Sequence, residues 1–128
     1  MPENSLKKEC AVTESMLAKE VGSGSLPVLA TPALAALFEG AAAELAQAFL
    51  PEGVTTVGTE ITVRHTAPTP CGAKLTVEAE LTEHTGRTFR FRLSAADEAG
   101  QIASGEHERV GVKAERFVEK AQSRKARP

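Results

Sequence analysis

The 128-residue chain contains no tryptophan and no tyrosine, and its five phenylalanines bring the aromatic content to only 4%. Proteins that bind single-stranded nucleic acids stack the bases on aromatic side chains, which are scarce here. The formal net charge is -2 at pH 7, so the protein as a whole does not attract nucleic acid or an anionic membrane. We therefore expect no nucleic-acid partner and no membrane partner.

Cysteines and long apolar segments are scarce as well. Cys10 and Cys71 lie far apart and fit no spacing of a metal or redox motif. The longest apolar run, in the thirties and forties, is interrupted by Glu39 and Glu44 and is too short to span a bilayer. The start of the chain lacks the pattern of a secretion signal. The sequence thus predicts a cytoplasmic protein with reduced thiols.

The composition, with 41% hydrophobic and 25% charged residues, is typical of one soluble globular domain. We assign residues 1–128 to a single domain, with a core over 6–118 and a polar, basic tail over 119–128. The polar composition begins near Arg116 and predicts a solvated, fraying end. Residues 22–27, GSGSLP, lack the ending of a phosphate-binding loop and predict a flexible connector.

Residues 31–50 have the pattern of one buried helix. Thr31 suits the N-cap and Pro32 the first helical position, whereas Pro51 stops the helix. The interior is rich in Ala and Leu, which favour helix. The apolar residues at helical spacing are Leu34, Leu37, Phe38, Ala41, Leu45 and Phe49.

Apolar and polar residues alternate after this helix, as they do in half-buried strands. Runs at 75–82 and 89–93 are bounded by turn-forming residues at 68–72, 83–87 and 97–100. Short turns favour antiparallel neighbours, so we predict a four-stranded meander after the helix. A short strand is also expected near residues 9–13. The predicted fold class is α+β.

Two polar side chains lie where apolar ones are expected. Glu39 lies near the edge of the helical stripe among alanines, where a carboxylate needs a partner or has its pKa raised. His65 shares the parity of Ile61 and Val63, so it points to the apolar face of its strand. Each alone is compatible with a structural role. Together with Thr31 at a helix N-terminus, they would suit hydrolysis of an activated acyl group.

Other chemistries fit less well. The sequence has no G-x-S-x-G motif of a serine hydrolase. Cys71 lies in a Pro/Gly turn without a nearby His, which favours a structural or incidental thiol over a nucleophile. His107 lies between two Glu residues, but adjacent strand positions point to opposite faces, so we expect no metal site.

Three stretches resemble the hot dog-fold acyl-CoA thioesterases, most closely the fluoroacetyl-CoA thioesterase type. They are G-T-x-I-x-V-x-H-T-A-x-T-P at 58–70, S-G-x-H-E-R at 104–109, and L-A-T at 29–31 with Glu39 eight residues after the Thr. The resemblance spans roughly residues 6–118. It implies Thr31, Glu39 and His65 as catalytic side chains and Gly58 and Arg109 as substrate-binding residues, with no metal and no cofactor.

The resemblance also implies a long helix wrapped by a curved antiparallel β-sheet, and two subunits that form a double hot dog homodimer, alone or in a larger assembly. Hydrolysis of a small or medium acyl-CoA would then occur at the dimer interface, with Glu39 and His65 facing each other across it. The alternative is a non-catalytic module that binds an acyl-CoA or a small ligand in the same pocket. A hot dog dehydratase fits the Thr/Glu/His pattern less well.

One segment differs from the fluoroacetyl-CoA type, in which phenylalanines before the catalytic Thr form a lid over the acyl group. Here residues 21–31 contain no aromatic side chain, and Pro32 replaces the glycine that follows the Thr. We therefore predict a more open pocket, with Leu26, Val28 and Leu29 as apolar contacts, and no large preference for fluoroacetyl-CoA.

Overall fold

One long helix and one five-stranded antiparallel sheet make up most of residues 3–125, which the structure, a computed structural model, describes. This arrangement confirms the predicted α+β class. The elements in chain order are β1 (Ser5–Ala11), a 3₁₀ helix (Glu14–Met16), α1 (Ala18–Val21), α2 (Thr31–Gln47), β2 (Val54–His65), β3 (Lys74–Thr85), β4 (Thr88–Asp97), β5 (Gly100–Lys113) and α3 (Ala114–Ser123).

Helix α2 begins one residue earlier than the capping pattern predicts. Ala30 is the N-cap, and Thr31 is the first helical residue, with Pro32 in the first turn. The prediction of Thr31 as N-cap is therefore wrong, and the actual N-cap, Ala30, makes no side-chain capping hydrogen bond. The side chains that α2 buries are Leu34, Phe38, Ala41, Ala42, Leu45 and Ala46. They pack on the inner face of the sheet, to which β4 contributes Phe89, Phe91 and Leu93.

The strands lie in the order β1-β3-β4-β5-β2, so only β3, β4 and β5 form a meander. The prediction of a four-stranded meander is wrong, because β2 pairs with β5 along Val54↔Lys113 to His65↔Ala103 rather than with β3. The free edge of β3 is taken by β1, which begins at Ser5 rather than near residue 9. The chain after His65 therefore crosses from the β2 edge of the sheet to β3, the strand next to the opposite edge.

Strand β2 is one edge of the sheet, and it carries an irregularity in its middle. Gly58 lies opposite Arg109 and Glu60 lies opposite Glu108, so Thr59 is an extra residue in the pairing. Such bulges bend a strand and often lie beside functional sites. Along its whole length, β2 has no neighbour within the described chain on its outer side.

The C-terminal segment forms a helix instead of the frayed end that its composition predicts. Helix α3 follows β5 directly, and its first amide, from Ala114, donates a hydrogen bond to the carbonyl of Gly53. No residue of α3 is buried, so the segment is solvated as expected, although it is ordered into a helix. Residues 126–128 lie outside the described residues. Among residues 3–125, no helix is both long and apolar enough to cross a membrane.

Candidate active site

The end of β2 brings His65 against the first turn of α2. The hydroxyl oxygen of Thr31 lies 2.9 Å from Nδ1 of His65, within hydrogen-bond distance. Because Thr31 is a helical residue rather than a cap, its hydroxyl is available for this contact. Two of the predicted catalytic residues, which are 34 positions apart in sequence, therefore form a pair.

His65 is half-buried, as its parity on the strand predicts. Burial lowers the pKa of its imidazole below the ordinary value, which favours the neutral form at pH 7. Its Nε2 is buried and has no hydrogen-bond partner within the described residues. When Nδ1 donates to Thr31, Nε2 is left as an acceptor that can take a proton or a hydrogen bond from another group.

A cleft of about 320 Å³ opens beside this pair, between the segment before α2 and the residues that follow β2. Val28 and Leu29 line it, in agreement with the predicted apolar contacts. Leu26 does not line it and is 63% exposed, so that prediction is wrong. Two backbone hydrogen bonds fix the segment before α2: the amide of Ala18 donates to the carbonyl of Val28, and the amide of Leu29 donates to the carbonyl of Thr69.

Glu39 belongs to a second cluster, formed with Gly58 and Arg109. The carboxylate oxygen Oε2 of Glu39 lies 3.8 Å from Nη1 of Arg109. A Cβ at Gly58 would lie only 2.7 Å from the same oxygen. The absence of a side chain at Gly58 is therefore what lets the carboxylate approach the backbone of β2.

Arg109 is fixed by contacts within the sheet. Its Nε donates to the hydroxyl of Thr56 at 2.7 Å, and its Nη2 donates to the carbonyl of Thr56 at 2.9 Å. The remaining nitrogen, Nη1, lies 3.3 Å from Nε2 of His107 and faces Glu39. The side chain of Arg109 is only 10% exposed, so its charge acts in surroundings that water screens poorly.

The contacts of His107 define its tautomer. Nδ1 lies 2.7 Å from the carbonyl oxygen of Glu60, which can only accept, so Nδ1 carries the hydrogen. Nε2 is then the acceptor of the hydrogen bond from Arg109. Burial first, and the charge of Arg109 second, lower the pKa of His107 and favour this neutral form. His107 thus helps to orient the guanidinium that faces Glu39.

Sequence reasoning did not assign His107 or Thr56 to the site. The alternation along β5 carried part of the signal, because His107 and Arg109 share the inner face of the sheet and are buried. Glu106 points to the outer face and pairs with the exposed Arg64. Within the described part of the chain, no three His, Cys, Asp or Glu side chains lie close enough together to hold a metal ion.

The two clusters lie apart within one chain. Thr31 and Glu39 are eight residues apart on α2, which separates them by about 12 Å along the helix axis. Gly58 and His65 are separated by roughly 20 Å along β2. The chain therefore places Thr31 with His65, and Glu39 with Gly58 and Arg109, but it does not bring the two groups together.

Comparison with known proteins assigns the chain to a family. The profile of the fluoroacetyl-CoA-specific thioesterase family matches residues 12–115. The chain is 39% identical over 97 residues, 76% of its length and 70% of the relative's, to the fluoroacetyl-CoA thioesterase of Streptantibioticus cattleyicolor. The chain belongs to the fluoroacetyl-CoA-specific thioesterase family. It is therefore an enzyme, a thioester hydrolase, as the resemblance implies.

Solved structures agree with this family. A structure of the fluoroacetyl-CoA thioesterase FlK is 30% identical to this thioesterase and superposes with a TM-score of 0.91 over 98% of each chain. A hot-dog-like protein from Thermanaerovibrio acidaminovorans, 22% identical, superposes with a TM-score of 0.88 over 98% of this chain and 93% of its own. The second likeness shows the fold alone, and that fold is the predicted hot dog.

Proposed function

We propose that this thioesterase hydrolyses a small or medium acyl-CoA to the free acid and CoA, with Thr31, Glu39 and His65 as catalytic residues. The proposal rests on the position of the Glu39 carboxylate. It lies against the backbone of Gly58, where no side chain blocks it, and faces the positive charge of Arg109. A thioester carbonyl at Gly58 would lie within reach of that carboxylate. The family's printed activity, on fluoroacetyl-CoA, supports an acyl-CoA substrate.

Each side chain has a role that its surroundings support. Glu39 either activates water or attacks the thioester carbonyl itself, and both routes need an ionised carboxylate. The buried cation of Arg109 stabilises negative charge that develops near Gly58. His65, neutral and with Nε2 unpartnered in the described chain, accepts a proton or polarises a bound group, and Thr31 orients its ring.

We propose a homodimer in which each site combines the two clusters from different subunits. The outer edge of β2, which no other strand of residues 3–125 covers, offers a row of backbone groups for pairing with a second chain. Two-fold antiparallel pairing of β2 with its copy, centred near Ile61 and Thr62, would place His65 opposite Gly58 of the partner subunit. Small residues on α2, including Ala36 and Ala43, would let the two helices approach. A cytoplasmic location stays a prediction.

Release of free thiol from a panel of acyl-CoAs tests the proposed function. We expect CoA to accumulate at a rate proportional to enzyme concentration with at least one short or medium acyl-CoA. The alternative, a non-catalytic binding module, predicts saturable binding of an acyl-CoA without thiol release. Tight binding of several acyl-CoAs with no release above the uncatalysed rate would replace our proposal with that alternative.

We predict that the enzyme shows no large preference for fluoroacetyl-CoA over acetyl-CoA. The cleft beside Thr31 and His65 is bordered by Val28 and Leu29, with no phenylalanine, tyrosine or tryptophan among the residues that line it. A small apolar difference between substrates is worth only about 1–3 kcal/mol in a hydrophobic pocket. Values of kcat/KM for fluoroacetyl-, acetyl- and hexanoyl-CoA, measured side by side, test this. A ratio of fluoroacetyl- to acetyl-CoA well above about 200 would contradict the prediction.

Gly58→Ala is expected to lower kcat/KM about 10²-fold with little change in unfolding temperature. The new Cβ would lie 2.7 Å from Oε2 of Glu39, 3.2 Å from Cε1 of His107 and 3.3 Å from Nη1 of Arg109. The end of the flexible Glu side chain can move away, and the other two side chains need to shift by only a few tenths of an ångström, so the fold accommodates the methyl group, but the carboxylate loses its position. Gly24→Ala is the control, since a Cβ there would make only an ordinary van der Waals contact, 3.4 Å from the Cβ of Ala18, and Gly24 lies outside α2. Wild-type activity in Gly58→Ala would show that Glu39 need not lie against this strand.

A further inference from the structure

Thr69 is a polar residue that the proposed mechanism does not use, although its side chain is fully buried. It lies in the crossover after β2, four residues beyond His65. Its hydroxyl donates a hydrogen bond to Oδ2 of Asp97, 2.8 Å away at the end of β4. A buried hydroxyl costs free energy unless it is bonded, and a valine of similar size would avoid that cost. The bond to Asp97 is therefore what makes a hydroxyl useful at this position.

Asp97 attaches this bond to the sheet. Its second carboxylate oxygen, Oδ1, accepts a hydrogen bond from the amide of Ala99 at 2.9 Å, in the turn between β4 and β5. The bonds from Thr69 and Ala99 lower the pKa of Asp97 below its ordinary value, so the carboxylate is ionised at neutral pH. A hydrogen bond to an ionised acceptor is stronger than one between neutral groups. The crossover is thus tied to the sheet through the side chain of Thr69.

The backbone of Thr69 holds the segment that leads into α2. Its carbonyl accepts a hydrogen bond at 2.9 Å from the amide of Leu29, two residues before Thr31. Leu29 is buried, so water competes little for this bond. One residue therefore bonds the sheet through its side chain and the entry to α2 through its backbone. We call Thr69, with its bonds to Asp97 and Leu29, the Thr69 clamp.

His65 is attached to the sheet independently of the Thr69 clamp. It is the last residue of β2, and both the amide and the hydroxyl of Thr66 donate to the carbonyl of Ile102 on β5. The first turn of α2, which carries Thr31, is held through Thr69 instead. The 2.9 Å contact between the hydroxyl of Thr31 and Nδ1 of His65 therefore joins two segments whose relative position depends on the clamp.

We propose that Thr69 and Asp97 are positioning residues that fix the first turn of α2 against His65; this inference rests on the proposed function, in which Thr31 and His65 are catalytic. Neither Thr69 nor Asp97 lines the cleft beside that pair, so both act through the backbone that they hold. Displacing a catalytic group by about 1 Å can cost about 10²-fold in rate. Loss of the clamp should therefore slow the chemical step more than it weakens substrate binding.

Thr69→Val removes the hydroxyl and keeps the approximate size of the side chain. For the acyl-CoA that the wild type hydrolyses fastest, we expect kcat to fall about 10-fold or more, with KM changed less than about 3-fold. Thr69→Ser, which keeps the hydroxyl, should restore most of the lost rate. Thr82→Val is the matched control, because it also removes a hydroxyl that donates one hydrogen bond, to the carbonyl of Arg90, on an exposed part of β3. The control should keep wild-type kinetics.

NMR of the His65 ring nitrogens separates this inference from the proposed function, because it reports the contact with Thr31 without any turnover. We expect Thr69→Val to move these signals toward those of Thr31→Val, in which the partner hydroxyl is absent. Hydrogen exchange of the Leu29 amide should become faster in the same variant. If the wild type hydrolyses no acyl-CoA, the proposed function fails, and the ring signals still decide whether the clamp positions this pair.

Wild-type ring signals or a wild-type kcat in Thr69→Val would overturn the inference. So would a loss of rate that Thr69→Ser does not restore, because the hydroxyl would then not be the cause. Should Thr69→Val fail to fold, Asp97→Ala removes the acceptor of the same bond at a half-buried position, and the same ring signals and kcat are measured on it.

Discussion

Glu39→Gln is expected to lower kcat for acyl-CoA hydrolysis about 10²–10⁴-fold, the usual effect of removing a positioned acid or base. Glutamine has nearly the same shape as glutamate but cannot take up a proton at neutral pH or attack a carbonyl as an anion. The substitution leaves the guanidinium of Arg109, whose side chain is 10% exposed, without its carboxylate partner, so some loss of stability is expected beside the loss of activity. Arg109 keeps its two contacts with Thr56 in the variant.

Glu44→Gln is the matched control for this variant. Glu44 lies on the same helix and also faces a cation, since Oε1 lies 2.7 Å from Nζ of Lys8, but that pair is exposed on the surface. We expect it to keep wild-type activity. Steady-state kinetics together with thermal unfolding of both variants test the prediction. If Glu39→Gln hydrolyses acyl-CoAs at the wild-type rate, Glu39 is not catalytic.

The sequence predicts the helix and the strands of this fold well, because their signals are local. Leu34 and Phe38 lie at helical spacing and are buried on α2, and Phe89, Phe91 and Leu93 alternate and are buried on β4. A helix that buries one face needs apolar residues every three to four positions, and a strand needs them at every second position, so the sequence pattern identifies the type of element directly. The position of β2 is different. Its pairing with β5 depends on a crossover between distant segments, and no local pattern records which edge of the sheet it joins.

Thr31 and His107 show why the site is harder to predict than the elements. A Thr before a Pro is a good capping pattern, yet its hydroxyl pairs with His65 from another part of the chain. The packing of β2 against α2 decides whether the hydroxyl of Thr31 caps the helix or pairs with His65. His107 gains its role from Glu60, which the pairing of β2 with β5 brings to it, and from Arg109, two positions along β5. A one-dimensional pattern contains the parity of His107 but not these partners.

A mixing experiment is expected to show that each active site is shared between two subunits. Within one chain Glu39 contacts Arg109 and His65 contacts Thr31, and the two clusters do not meet. In a two-fold dimer, a Glu39→Gln chain paired with a His65→Asn chain has one site with both substitutions and one site with neither. Co-expressed with two tags and purified as the heterodimer, this pair should recover about half of the wild-type rate, although each homodimer is nearly inactive.

The reverse arrangement is the control that makes the result decisive. A chain carrying both Glu39→Gln and His65→Asn, paired with a wild-type chain, should be nearly inactive, because each of its two sites then lacks one residue. Sites built within single chains predict the opposite pattern: no recovery in the first heterodimer and about half activity in the second. Light scattering should give twice the 13.5 kDa chain mass at micromolar concentration. A monomeric mass would remove the shared site, because His65 and Glu39 would then have to act from their separate clusters in one chain.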